Sequence, residues 1–393
     1  MLPMLRWIVL ILATGPIVYG LMSLYAVVSY FRKLRRMPPR RDVFSPPVSI
    51  LKPVRGADNG AYENFASYCQ LDYPEYELVF AVADPEDLAV PLIEKLQIDF
   101  PGCAIRLLKG VERLGANNKV NNLARLVREA KYELLVMTDS DVRVDSDYLR
   151  EVVAPFANAE VGGVTTFYRC LGGGTIASSL NQLGMCMDSA PSALVARMLE
   201  GKMQFAYGWT MATTKKNLEE IGGWAAMANH HSDDFELGNR IAGRGYRVEL
   251  MRKPVGMVFA RESMAQYFRH ELRWSIGLRN VRPLAYVGMI FTHGLPWSVA
   301  AAMVAFGAGR SLVAVAYLAA YLALRVAGAW ATGVWGLRDL RIARKLWLVP
   351  VRDAVSFCVW VMGFFSDTIE WRGLVYRVKR RLLIPVPADK QQH

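Results

Sequence analysis

The sequence predicts an α/β domain with a mostly parallel sheet, inserted between transmembrane helices, and three observations carry that expectation. Uncharged stretches long enough to cross a bilayer occur at 8–31 and 283–309, with a third at 311–337 interrupted only by Arg325. Between the first two, short apolar runs alternate with segments of helical pattern. Charge is segregated as well: residues 42–259 hold 22 Lys+Arg against 28 Asp+Glu, a net of −6, so the remainder carries +18 of a chain total of +12. A mean hydropathy of +0.17 is too high for disorder. A charged fraction of 21% is too high for a chain wholly within a membrane. Positive charge gathered beside apolar segments marks membrane flanks, whereas a nucleic-acid binder would place it on the folded domain, so nucleic acid is disfavoured as a partner.

The 24 uncharged residues at 8–31 suffice for a helix crossing a core of about 30 Å. Only Arg6 precedes them, and Arg32, Lys33, Arg35, Arg36, Arg40 and Arg41 follow, the reverse of a cleaved signal peptide. The positive-inside rule therefore puts the N-terminus outside and residues 32 onward in the cytoplasm. A fourth apolar run, 354–366, has 13 residues and reads as a tilted span, a re-entrant hairpin or an interfacial helix. The basic tail (Arg372, Arg377, Lys379, Arg380, Arg381) favours the cytoplasmic side. Arg325 faces a polar lipid group or another helix, or snorkels to an interface. The expected organisation is 1–41 transmembrane helix and basic flank, 42–282 catalytic domain, 283–366 membrane helices and 367–393 basic tail. Five scattered cysteines without CxxC spacing indicate neither a disulfide framework nor a zinc site.

Strands are expected at 48–51, 76–83, 104–108 and 133–138, with helices near 61–71, 87–98 and 117–130. That alternation implies right-handed crossovers and helices on both faces of a parallel sheet, with ligands at the strand carboxyl ends. Asp84 closes the second strand, as a ligand-facing carboxylate or as a turn residue. Asp139 and Asp141 close the fourth, and their i, i+2 spacing can direct two hard oxygens at one Mg²⁺ or Mn²⁺. No GxGxxG or GxxxxGK[ST] occurs, and Gly172-Gly173-Gly174 reads as a loop that opens no helix after an apolar strand. Asp233 and Asp234 precede a helical pattern, so one is a candidate general base, or Ser232 or Asp233 is a helix cap. His230 and His231 are expected in a loop. Arg273 and Trp274 suit a diphosphate and a ring plane, or a lipid headgroup belt. Met185, Met187, Met198 and Met203 line an acceptor groove or pack in a core.

The motifs VSILKPVRGAD (48–58), QLDYPEYELVF (70–80), NNKVNNL (117–123), TDSDVRV (138–144), IGGW (221–224), DDFELGNRIAGRGYRV (233–248), RHELRW (269–274) and DTIEWRGLVYR (367–377) stand in the order of the ceramide glucosyltransferase family, which the chain resembles. The resemblance extends to bacterial relatives associated with glycosylating hopanoid lipids. It implies the GT-A glycosyltransferase fold, a Rossmann-like, mostly parallel sheet. It implies that Asp84 engages the uridine of the donor, that Asp139 is the second aspartate of the family with Asp141 completing a metal-binding pair, and that Asp234 is the catalytic base. By the same token Arg273 and Trp274 close the (Q/R)xxRW motif, Lys119 lies in a segment that contacts the nucleotide, and Gly208 and Trp209 border the acceptor. His270 departs from the Gln or Arg of that motif, with an acceptor contact as its expected role. Both aspartates of the DxD are present, whereas animal ceramide enzymes keep one; this points to a bacterial branch and weakens ceramide as acceptor.

The expected activity is inverting, metal-dependent transfer of a hexose, glucose by family, from a UDP-sugar to a lipid hydroxyl at the cytoplasmic face of a bacterial inner membrane. Ceramide is the first acceptor, with a hopanoid polyol or diacylglycerol as alternatives. A processive polysaccharide synthase and a non-catalytic scaffold are the rival classes.

Overall fold

Apolar runs without polar alternation become the central strands of a seven-stranded sheet, because a strand covered on both faces has no wet side to mark. The computed structural model describes residues 2–38, 44–110 and 112–387; Arg40 and Arg41 of the basic flank lie outside the described residues. In chain order the strands are β1 (Val48–Val54), β2 (Tyr76–Val82), β3 (Ile105–Lys109), β4 (Leu134–Met137), β5 (Val142–Arg143), β6 (Val161–Thr165), β7 (Tyr168–Gly172), β8 (Met211–Thr214), β9 (Arg247–Leu250), β10 (Val255–Phe259), β11 (Thr368–Trp371), β12 (Leu374–Lys379) and β13 (Leu382–Pro385). The large sheet runs β3-β2-β1-β4-β8-β6-β9. Its first four strands are parallel; β8 runs antiparallel to both neighbours, and β6 and β9 are parallel. Helices Ala61–Ser67, Val90–Asp99 and Asn118–Glu129 join the first four strands, as the alternation requires. A second sheet, β5-β10-β7, lies within the same unit, and β11-β12-β13 form a third.

The described residues divide into two compact units. The unit that carries the large sheet, expected above to be catalytic, lies within 38–173, 200–261 and 370–387, and the unit that carries the long apolar helices, the expected membrane unit, within 2–37, 174–199 and 262–369. This division cuts across the chain-order boundaries expected at 42–282, 283–366 and 367–393. Residues 174–199 leave the α/β region for the membrane unit, and the basic segment after 369 belongs to the catalytic unit as β12 and β13, with β11 straddling the boundary. The Gly172-Gly173-Gly174 run does join a strand, β7, to a helix, Ile176–Gly184, contrary to expectation. β7 escaped notice because Arg169 and Gly172 interrupt its apolar pattern. The helix end it meets is closed by the Thr175 side chain, which accepts from Ser178 N in a capping box.

Within the membrane unit, Met4–Arg36 (33 residues) and Ser311–Gly336 (26 residues) are long and apolar enough to cross a bilayer. The first is interrupted at Ala13, between helices Leu2–Leu12 and Thr14–Arg36. Pro16 is the cause: it lacks an N–H for the carbonyl of Leu12, and its ring crowds that carbonyl. The stretch 283–309, expected as a single span, is broken instead into Pro283–Phe291 and Gly294–Phe306, bent by 40°. Pro296 forbids the helical bond to Thr292 in the same way. The fourth apolar run belongs to a 14-residue helix, Val349–Met362, that starts before Arg352 and Asp353 and buries both. Arg325 neither snorkels nor faces lipid. Its Nε donates to Asp353 Oδ2 at 2.8 Å, its Nη2 to Asp188 Oδ1 at 3.0 Å and its Nη1 to the Met187 carbonyl at 3.0 Å. Arg352 continues the network to Asp188 at 3.1 Å and to Glu271 at 2.8 Å.

Candidate active site

Strand order reverses at β1, with β2 and β3 to one side and β4 to the other. The carboxyl ends of strands at such a point are where open α/β sheets bind ligands. Thr138 N donates to the Leu51 carbonyl at 3.2 Å, so the chain leaving β4 is held against β1 just before Asp139. Behind it stands Lys52, fully buried in β1, whose Nζ donates to the Asp139 carbonyl at 2.9 Å and lies 3.9 Å from the Tyr68 ring centroid. Burial pushes this ammonium down to about 7 against the opposing pull of Asp139 and Asp141. Sequence reasoning passed over Lys52; the signal was a single lysine inside a strand whose one other polar residue is Ser49.

Lys119 occupies the first turn of helix Asn118–Glu129, where the Asn117 side chain caps the amides of Lys119 and Val120. The Asn117 amide group donates to the His230 carbonyl at 2.8 Å, and its backbone N–H to the Ala228 carbonyl at 2.9 Å. The capped turn is thereby docked on the loop that carries His230 and His231. From there Lys119 Nζ reaches Asp139 Oδ1 at 2.8 Å and Asp233 Oδ2 at 3.2 Å. It is no solvated helix lysine. Burial alone would lower its pKa, but Asp139, Asp233 and Asp234 outweigh that and hold the ammonium above its ordinary value.

Helix Asp233–Gly243 follows, and neither Ser232 nor Asp233 caps it. Asp234 Oδ1 accepts from Phe235 N at 2.7 Å, while Oδ2 accepts from the Gly208 amide at 3.0 Å. Gly238, one turn on, makes that reach feasible: a Cβ there would stand 2.3 Å from Ala206 N, so only glycine lets the helix touch the 205–208 backbone. Burial and the neighbouring Asp233 push the Asp234 carboxyl up to about 6, with Lys119 restraining it. At Gly208 a Cβ would lie 3.0 Å from Lys119 Nζ, 3.2 Å from Asp139 Oδ2 and 3.5 Å from Asp234 Oδ2. Gly208 therefore sits at the centre of the cluster. Trp209, beside it, is committed to packing: its ring stacks on Tyr207 at 4.4 Å, and its indole N–H donates to the Thr166 carbonyl.

Asp141 is pushed up to about 7 by burial, then by Asp139 and Asp58. Its Oδ1 is buried with no hydrogen-bond partner. Ser140 Oγ donates to Asp58 Oδ2 at 2.7 Å, and Arg372 of the C-terminal segment grips Asp58 bidentately at 2.6 and 3.0 Å. The cluster thus holds five carboxylates (Asp58, Asp139, Asp141, Asp233, Asp234) against three side-chain cations (Lys52, Lys119, Arg372). That imbalance and the partnerless oxygen of Asp141 suit a divalent cation. Among the described residues no group of three or more His, Cys, Asp or Glu is arranged as a metal cage. A cation there would need further oxygens from a bound diphosphate or water, which is the habit of Mg²⁺.

Asp84 lies exposed at the end of β2, its Oδ1 accepting from Glu86 N at 3.0 Å, so its turn role is real and its carboxylate faces solvent. Met185, Met187 and Met203 are buried, which is core packing, while Met198 is exposed. Arg273, Trp274 and His270 stand on helix Met264–Val281 of the membrane unit. The ring of His270 packs 4.9 Å from that of Trp274, and its Nδ1 lies 3.4 Å from Glu262 Oε1.

A solved mannosyltransferase from Pyrobaculum calidifontis, in complex with GDP-Man and Mn²⁺, shares the fold at a TM-score of 0.50 and 18% identity, over 90% of this chain and 99% of that one. Two Caenorhabditis elegans proteins are similar in sequence. Ceramide glucosyltransferase 3 is 26% identical over 63% of this chain and 54% of its own length, and ceramide glucosyltransferase 1 is 24% identical over 67% and 57%. The chain spans little more than half the length of these relatives. The model of glycosyl transferase family 21 matches residues 6–384, and the chain belongs to that family.

Proposed function

We propose that the protein is a membrane-bound inverting glycosyltransferase that moves a hexose, glucose in the first instance, from a UDP-sugar to a lipid hydroxyl. The observation that carries this reading is the Asp234 carboxylate, aimed by the Gly208 amide into a cluster with Lys119 and Asp139. Asp234 takes the proton of the acceptor hydroxyl as that oxygen bonds to the anomeric carbon. The bond from that carbon to the diphosphate breaks on the opposite face, and UDP departs with the electron pair. A single base suffices for one displacement, which inverts the anomeric centre. Mg²⁺ or Mn²⁺ on Asp139 and Asp141, when bound, supplies charge stabilisation for the departing diphosphate. Lys119 orients the carboxylates and adds positive charge beside them. We assign Asp84 to the uridine, Arg273 and Trp274 to the donor by their family motif, and Gly208, Trp209 and His270 to the acceptor side.

Ceramide is the favoured acceptor, on the strength of the nematode relatives, with a hopanoid polyol or diacylglycerol as alternatives. We place the catalytic unit in the cytoplasm, at a bacterial inner membrane, with the N-terminus outside. Since residues 200–261 and those after 369 share that unit, the intervening 262–369 must cross the bilayer an even number of times. Ser311–Gly336 and the bent pair at 283–306 provide two crossings. Helix Val349–Met362, 14 residues or roughly 21 Å at 1.5 Å per residue, falls short of the hydrocarbon core. The decisive experiment incubates membranes containing the protein with labelled UDP-sugars and extracted lipid. One sugar on a lipid supports the reading; a long polymer, or background only, overturns it.

A further inference from the structure

The motif 367–377 has no role in the mechanism above, although its segment folds into the catalytic unit. β11 joins β12 through Arg372-Gly373, and β12 joins β13 through Arg380-Arg381. All four connecting residues have positive φ: 51° and 76° in the first turn, 48° and 72° in the second. Two-residue hairpin turns of this kind favour Asn-Gly, because a side chain larger than Asn or Asp pays a steric penalty in the left-handed region. Arginine is therefore an unfavourable choice at the apex of the first turn. An outlier of this kind points to what its side chain does.

The Arg372 guanidinium holds Asp58 bidentately, and Asp58 in turn accepts from Ser140, the residue between Asp139 and Asp141. Two of the five N–H groups of the guanidinium are spent on Asp58, and the side chain is 42% exposed. Asp141 and Asp139 both act electrostatically on it, which places its charge beside the DxD. The second apex supports the same placement: Arg381 pairs with Glu236 on the helix that begins at Asp233, and its carbonyl accepts from His231 N at 2.9 Å. The C-terminal hairpins thus reach both halves of the cluster.

We propose that Arg372 is a donor-binding residue, presented by the C-terminal hairpin with Asp58 as its positioning partner, and that its guanidinium contacts the diphosphate of a nucleotide sugar. The inference rests on the donor class proposed above. The test uses the full-length protein in detergent with Mn²⁺ and calorimetric titration of UDP, GDP, ADP and uridine. Arg372→Asn is the informative variant, since Asn-Gly is the preferred turn sequence and should leave the hairpin at least as stable. Affinity for the nucleoside diphosphate should fall about tenfold or more, the value of a charge-assisted contact. Uridine binding should be unchanged, and Arg372→Lys should recover part of the loss. Arg381→Ala, which loosens the tail at its other apex, should not alter the preference for diphosphate over nucleoside. Undiminished UDP affinity in Arg372→Asn, or equal loss of UDP and uridine, overturns the proposal alone. A parent protein that binds none of the diphosphates overturns the donor class as well.

Discussion

The Gly208 amide and the Asp234 carboxylate are joined at 3.0 Å, across 26 residues of sequence, in the one place where a side chain at position 208 would meet three site residues at once. Gly208 needs no left-handed backbone there, since its φ lies outside that region. Gly208→Ala should therefore fold normally, with a melting temperature close to the parent's, while its methyl displaces Lys119 and Asp139. The neighbours must give by a few tenths of an ångström, so turnover should fall, by less than the roughly 10²-fold that a 1 Å misplacement can cost. Lipid glycosylation and thermal unfolding, measured side by side, check this.

As the proposed base, Asp234 would act only when deprotonated, and its carboxyl is pushed up to about 6 by burial and Asp233. The rate at low substrate concentration should rise with pH through about 6 and level off above it. Asp233→Asn removes one of the raising charges, so its ascending limb should move to lower pH. Asp234→Asn should lose about 10²–10⁴ of the rate at every pH. A pH–rate profile of the three proteins decides; full activity in Asp234→Asn sinks the assigned base.

Chelation should abolish transfer, and added Mn²⁺ or Mg²⁺ should restore it. Asp141→Asn should need about tenfold more metal for half-maximal rate. That variant should melt no lower than the parent, because a buried carboxylate oxygen without a partner contributes nothing to folding. Metal titrations of activity together with melting curves separate the two effects.

In the membrane unit, Arg325→Met would strand Asp353, which is buried. Removing one partner of a buried pair costs about 3–5 kcal/mol, whereas replacing both by apolar groups is often near neutral. The single variant should unfold at a lower temperature in detergent, and Arg325→Met with Asp353→Leu should recover most of the loss.

The parallel half of the sheet was legible because β1, β2 and β4 are mostly apolar runs, broken only by Ser49 and Lys52 in β1 and Glu77 in β2, spaced by helical patterns. β6, with Gly162 and Gly163, and β7, with Arg169 and Gly172, carry no such signature. The carboxylates of Asp139, Asp141 and Asp234 were legible at element ends, but their partners were not. Lys119 lies 20 residues from Asp139 and 114 from Asp233, and local spacing cannot show that a capped helix turn brings them together. Lys52 was missed because the apolar run of the first strand ends at Leu51, whereas the strand itself continues to Val54. The break at 292–293 was signalled by Pro296, yet an apolar length count does not weigh a missing backbone donor. The tail read as a basic flank because charge was counted there and the paired positive-φ turns were not visible.

The catalytic unit draws on segments separated by membrane helices, and this orders events during synthesis. Residues 262–369, 108 in all, lie between its middle and final portions. At about 5–20 residues per second they occupy the ribosome for roughly 5–20 s. Throughout that interval the sheet and the Asp139–Lys119–Asp234 cluster exist without β12 and β13, so Asp58 has no Arg372 to hold. The first apolar helix, Met4–Arg36, is made before any of this, whereas the contact between Asp58 and Arg372 can form only after the later helices, including Ser311–Gly336, have been synthesised.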